Sequence, residues 1–286
     1  MKKKRNKRRK KRIIIIAVCL PALLFTGVFF FLLRKKEIPV MGKETVEAMA
    51  TVKELKTQEE TSWKLEVGAK VAAVAEERKQ QWDSLPENLK ELYGKNQDAR
   101  EFVLNYQEYK NRSFEINLTE YEHCKEVPLL MQWDKRWGYQ EYSGDLFGLT
   151  GCGPTCLSMA AIYLKQDVSY TPEWMREFSI RNGYSVEGYG SSWTLISEGA
   201  KQLGLSVQEL PLSEFKMIES LQNGKLLILV LGPGDFTDNG HYIVVTDYEE
   251  EAFVIKDPNS IKNTNKKWSY DEIEGQIKNI WALSAN

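Results

Sequence analysis

Three residue types in this chain stand in an order and setting suited to nucleophilic chemistry: a cysteine, a histidine and an aspartate. The cysteine is Cys152, in LTGCGPTCLSMAAIYL, residues 149–164. A thiol attacks a carbonyl as the thiolate, and it needs a partner that takes and returns a proton. Pro154 is favoured at a first helical turn, where its missing N–H would be unpaired anyway. The run Thr155 to Leu164 then reads as a helix, with Cys156, Leu157, Met159, Ala160 and Tyr163 on its apolar face. Cys152 therefore falls at, or just before, a helix N-terminus, where free N–H groups and the dipole favour the thiolate. Gly151 and Gly153 are expected to let the backbone pass close to a substrate. Cys156, one turn further on, is read as an inert core thiol.

The chain has two histidines. His123, in YEHCKE, lies in a charged stretch and reads as a surface residue. His241 follows an apolar strand, Leu226 to Leu231, and a Gly-rich loop, and it opens a second strand running to about Asp247. Tyr248 to Glu251 read as a polar turn and Ala252 to Ile255 as a third strand, so the two last strands form an antiparallel hairpin. A three-residue loop, Tyr248 to Glu250, sets His241 opposite Asp257; a two-residue loop sets it opposite Pro258. Either register leaves a carboxylate beside the imidazole, where it would orient the ring and stabilise its cation. A tetrahedral intermediate also needs an oxyanion donor. Gln132, twenty residues before Cys152, could supply a side-chain amide beside the Cys152 N–H, although spacing alone does not single it out.

These elements need a core and a location. The chain has 286 residues, 42% hydrophobic and 28% charged, which excludes a wholly disordered chain, a collagen-like fibre and a polytopic membrane protein. Four Cys are too few for a disulfide scaffold and lack the paired spacing of structural zinc. The net charge of −1 hides an asymmetry. Residues 1–36 hold 13 Lys/Arg and no Asp/Glu, whereas the other 250 hold 26 basic and 40 acidic side chains, a net of −14.

Residues 2–12 contain ten basic side chains, and Ile13 to Leu33 are 21 residues without a charge. At ~1.5 Å per residue such a helix spans about 30 Å, the hydrocarbon thickness of a bilayer. The run ends FFFLLRKK, without the small-x-small site of a cleaved signal. The positive-inside rule places the basic tail in the cytoplasm and the body outside the cell. The expected organisation is a basic cytoplasmic tail, residues 1–12, a transmembrane helix, 13–33, and a Glu/Lys/Ala/Gln-rich stalk, 34–83. A helical lead-in, 84–126, and a catalytic body, 127–286, follow. In the lead-in, Leu89, Leu92 and Tyr93 form one apolar stripe and Phe102, Val103 and Tyr106 a second. Near the C-terminus, Ser269 and Glu272 form a capping box that is expected to start a closing helix. Trp193 is expected to open a helix reaching Leu203, as a cleft wall or a core aromatic.

VPLLMQWDKRWGYQ, GLTGCGPTCLSMAAIYL, GYGSSWTLISEGAKQLGL, GPGDFTDNGHYIVVTDY and KDPNS occur in that order. Together they resemble a group of bacterial cysteine peptidases related to the domains that trim double-glycine leaders from bacteriocin precursors. The resemblance spans roughly residues 127–286. It implies a papain-like α+β fold, with a nucleophile helix packed on an antiparallel sheet. It also implies Cys152 as nucleophile, His241 as base, Asp257 as orienting residue and Gln132 as oxyanion donor, with no metal or organic cofactor. The leader-trimming enzymes are fused to ABC transporters and act in the cytoplasm, whereas this chain carries no nucleotide-binding motif. The resemblance thus speaks to the machinery rather than to a substrate.

The expectation is a single-pass, membrane-anchored cysteine peptidase whose domain faces outside and whose partner is a protein or peptide, with no nucleic acid. A cell-wall stem-peptide hydrolase or transpeptidase of the same fold is the alternative, and a tethered, non-catalytic peptide-binding module is another.

Overall fold

The computed structural model of the chain describes residues 43–286. The basic tail and the apolar 13–33 segment lie outside the described residues. Among the described residues, no helix is long and apolar enough to cross a membrane. The chain divides into two compact units, up to Ala73 and from Val74 to Asn286. The described residues begin with the helix α1, Lys43–Asp83. Its Ala, Glu, Lys and Gln content favours helix without a packing partner. Its side chains are exposed almost throughout, with i,i+4 pairs such as Lys64–Glu60 and Lys70–Glu66.

The second unit is built on a five-stranded antiparallel sheet. Its strands are β5 (Leu205–Glu209), β6 (Leu226–Leu231), β7 (His241–Glu249), β8 (Ala252–Lys256) and β9 (Ile277–Ala285), in the order β5-β9-β6-β7-β8. Two short hairpins, β1–β2 (Glu141–Tyr142 with Asp145–Leu146) and β3–β4 (Ser185–Val186 with Gly190–Ser191), stand apart from it. The sheet is covered on both faces, and the period-two alternation of strand side chains divides its apolar residues between them. Leu226, Ile228, Val230, Tyr242, Val244, Trp281 and Leu283 join one cluster with the helix α4, Cys152–Lys165. Leu227, Leu229, Leu231, Ile243, Val245, Ile280 and Ala282 join the other, against Met217 and Leu221 of the helix α6, Glu214–Gln222. β6 is therefore wholly buried and reads as a continuous apolar run rather than an alternating one. On the first face α4 also packs against α5, Pro172–Arg181, capped by the Thr171 side chain.

The lead-in forms α2 (Glu87–Lys95) and α3 (Arg100–Leu104), followed by one more turn, Tyr106–Tyr109. Leu89, Phe102 and Val103 bury themselves against Tyr139, whose ring stacks on Phe102 at 4.3 Å.

Three sequence expectations change here. The C-terminal capping box is present, but it starts a single turn, Tyr270–Ile273; the expected closing helix is replaced by β9. Ile277, Ile280 and Trp281 have helical spacing, yet β9 pairs with a strand on each side, and that pairing outweighs local preference. The β7–β8 turn is Glu250–Glu251, both at positive φ (53° and 62°), rather than a loop starting at Tyr248. Tyr248 stays in the strand and packs on Phe253 at 5.0 Å. A bulge between Val245 and Asp247 shifts the register again, so Val244 faces Lys256 and neither expected partner lies opposite His241. The helix after Trp193 spans Thr194 to Gln202, with a π-helical stretch at Leu195–Gly199.

Candidate active site

Cys152 is the first residue of α4, with Gly151 as its N-cap, and its side chain is half-buried. The neighbouring glycines are required by protein rather than by space for a substrate. A Cβ on Gly151 would stand 2.6 Å from the Phe147 carbonyl oxygen and 2.7 Å from its ring. One on Gly153 would stand 2.7 Å from Ser191 Oγ. The turn Phe147–Thr150 and strand β4 thus press directly on the helix start. Tyr142 bridges the hydroxyls of Ser179 and Ser191, each at 2.7 Å, and Tyr242 donates to the Ser191 carbonyl at 3.1 Å. Burial raises the Tyr142 phenol to about 12, against the lowering pull of its hydrogen bonds to Ser179 and Ser191. These supports were not legible in the sequence, since they join residues 37 to 51 positions apart.

His241 opens β7 and is 5% exposed; Asp257, immediately after β8, is fully buried. The backbone registers miss each other, but the side chains meet: His241 Nε2 lies 2.7 Å from Asp257 Oδ1. The contact is reached beyond the end of β8, where Pro258 stops the ladder by lacking an N–H. Both carboxylate oxygens are engaged. Oδ1 also accepts the Asn259 N–H at 2.8 Å, and Oδ2 accepts Asn263 Nδ2 at 2.9 Å. With Nε2 engaged, Nδ1 is the ring nitrogen left free to face a thiol, and Cys152 lies near enough to act on the charge of this imidazole. Burial works to lower the His241 pKa, but the Asp257 charge, its hydrogen bond and the Cys152 contact outweigh it and raise the group to about 10.

Gln132 is 3% exposed and sits beside both segments. Its backbone N–H donates to the Pro258 carbonyl at 2.8 Å, and its Nε2 donates to the Gly148 carbonyl at 3.0 Å, in the turn that precedes Cys152. One Nε2 proton is left over, and the buried Oε1 has no partner. Cys156 is fully buried, and burial pushes its thiol well above the ordinary value, as expected of an inert core group. Cys124, Cys152 and Cys156 are all free thiols. His123 is exposed and distant in sequence from this cluster. Trp193 is 47% exposed and meets Trp281 edge-on at 6.0 Å, so it has one packed edge and one open to solvent. The sequence missed Asn259 and Asn263 as holders of the carboxylate; the run DPNSIKN carried the signal, with turn-forming and capping residues directly after Asp257.

Among solved structures, the peptidase domain of Streptococcus ComA, a bifunctional ABC transporter involved in a quorum sensing pathway, is similar at 20% identity. That match covers 48% of this chain and 93% of the other, with a TM-score of 0.37. A chain described as a C39-like peptidase from Bacillus anthracis is 15% identical over 56% of this chain and 95% of its own, TM-score 0.39. A double glycine motif protease from an AMS/PCAT transporter, in complex with the leader peptide, is 15% identical over 46% and 86%, TM-score 0.30. No curated protein sequence matches the chain. The family model of the Peptidase_C39 like family matches residues 124–286, more than half of the sequence. The chain belongs to that family and is a cysteine-type peptidase.

Proposed function

We propose that this peptidase works through Cys152, His241 and Asp257, and that it acts outside the cell from a membrane anchor at residues 13–33. The observation that carries the catalytic part is the buried 2.7 Å His241–Asp257 contact at the start of the helix that bears the half-buried Cys152 thiol. In this reading the Cys152 thiolate attacks the carbonyl carbon of the scissile amide. The C=O electron pair moves onto oxygen, where the Cys152 N–H and the spare proton of Gln132 Nε2 receive it. His241, protonated because Asp257 holds its pKa near 10, donates that proton to the departing amine. The C–N bond breaks and a thioester remains on Cys152. A water then attacks the thioester as neutral His241 accepts its proton. The C–S bond breaks, the acid leaves, and the proton stays on the imidazole. Asp257 keeps Nδ1 turned to the thiol and stabilises the cation without itself taking a proton. The substrate class is a peptide or protein reached from the outer side of the membrane.

Support for the anchor is the 21-residue uncharged run behind ten basic residues. The test pairs two assays on the full-length chain. A mixed peptide pool is incubated with the parent and with Cys152→Ala, and products are identified by mass spectrometry. Cleavage by the parent alone is expected; cleavage retained in Cys152→Ala overturns the site. Protease added to intact cells is expected to remove the body, and protection of the body there overturns the topology.

A further inference from the structure

Asp257 lies in the loop from 257 to 261, which the catalytic body does not hold alone. Asn96, at the C-terminal end of α2, reaches across 163 residues of sequence to this loop. Its Nδ2 donates to the Asn259 carbonyl oxygen at 2.6 Å and lies 3.2 Å from Asn259 Oδ1. Its own Oδ1 accepts the Asp98 N–H at 3.0 Å, which fixes the amide's orientation. Asp98 Oδ2 in turn accepts the Ile261 N–H at 3.0 Å. Asn259, gripped in this way, gives its backbone N–H to Asp257 Oδ1 at 2.8 Å, the same oxygen that faces His241 Nε2. From the other side, the Trp133 indole donates to the Asn259 carbonyl at 3.1 Å.

We propose that Asn96 is a positioning residue for Asp257, and that the lead-in is a strap that completes the catalytic site rather than a spacer. The inference rests on the Cys152–His241–Asp257 reading above. The carboxylate must present one oxygen to the imidazole, and its rotation is set by the N–H of Asn259 on Oδ1 together with Asn263 Nδ2 on Oδ2. The peptide plane that carries the Asn259 N–H is held on one side by Gln132 at the Pro258 carbonyl, and the next plane by Asn96 and Trp133 at the Asn259 carbonyl, so Asn96 restrains the loop that aims this N–H from outside it. The Asp257 side chain is buried, so a turned carboxylate has no water to replace what it loses. The groups that face His241 are Cys152 from α4 and Asp257 from this loop, so a displaced Asp257 leaves the imidazolium with the thiol alone.

The test is the rate of Cys152 alkylation by iodoacetamide across pH in the full-length chain, located by mass spectrometry. Asn96→Ala is expected to slow labelling at pH 6 by about 5-fold, the equilibrium worth of one hydrogen bond. In an Asp257→Asn background the same substitution is expected to change nothing, because no carboxylate remains to be positioned. Lys95→Ala, which removes exposed ion pairs to Asp238 and Glu91 and no contact with the Asp257 loop, is expected to match the parent. If Asn96→Ala melts below the assay temperature, Asn96→Ser takes its place. A parent-like rate in the Asn96 variant, or an equal loss in both backgrounds, overturns the inference while the site reading stands. A parent rate indifferent to His241→Ala overturns the site reading and this inference with it.

Discussion

Replacing Asp257 by Asn keeps the size of the side chain and removes its charge. In the parent, burial opposes the His241 cation, and the Asp257 charge, with its hydrogen bond and the Cys152 contact, carries the group to about 10. At pH 7.4 the imidazole is then almost wholly protonated. In the variant, burial, the largest single influence, faces only the Cys152 contact. His241 is therefore expected at or below the ordinary value of about 6.5. An imidazole at about 6.5 is only about 11% protonated at pH 7.4, so the proton ready for the leaving amine falls at least about ninefold. The assay is an NMR titration of the full-length chain with labelled histidine. The sequence has two histidines, so His123→Gln identifies the His241 signal directly. The expected result is a His241 signal that stays in the charged form from pH 6 to 9 in the parent and titrates near or below 6.5 in Asp257→Asn. A parent signal that titrates near 6.5, or a variant indistinguishable from the parent, refutes the electrostatic argument.

The same pair makes stability depend on pH. The folded His241 value lies above the unfolded one, so its contribution is complete below about pH 6.5 and is lost as pH rises through about 10. Thermal melts are expected to fall over that interval in the parent and to stay flatter in Asp257→Asn. Gln132→Ala is expected to lower kcat by about 10²-fold with little change in KM, the effect of losing one oxyanion donor. A KM effect alone would instead assign Gln132 to substrate binding. Gly153→Ala adds a Cβ 2.7 Å from Ser191 Oγ and 2.9 Å from Ser191 Cβ. It is expected to destabilise by about 1–3 kcal/mol in denaturant unfolding and to slow peptide cleavage, because α4 must shift to admit it.

The parts of the fold written in local pattern were legible. Pro154 and the apolar face behind it marked the start of α4, and two successive strands around a polar turn marked a hairpin. The His241–Asp257 contact followed from spacing, although the register did not. The Glu250–Glu251 turn lacks the Asn-Gly signal of a two-residue loop, and the bulge near Thr246 leaves no trace in the residue types. The segment 277–285 was misread because Ile277, Ile280 and Trp281 fit a helix face as well as a strand. Only pairing with β5 and β6, both remote in sequence, decides between the two. Gln132 could not be told from other glutamines, because what distinguishes it is a contact with Gly148 and one with Pro258. Asn96 was invisible for the same reason, over a longer distance.

The central claim is that one thiol of this chain is activated by His241. Among the described residues three thiols compete: Cys124, Cys152 and Cys156. Brief exposure of the full-length chain to iodoacetamide at pH 6, followed by peptide mapping, measures which is modified. The account predicts modification at Cys152, lost in His241→Ala, with the buried Cys156 untouched. Labelling of Cys124 and Cys152 at equal rates, or labelling of Cys152 indifferent to His241→Ala, would contradict it.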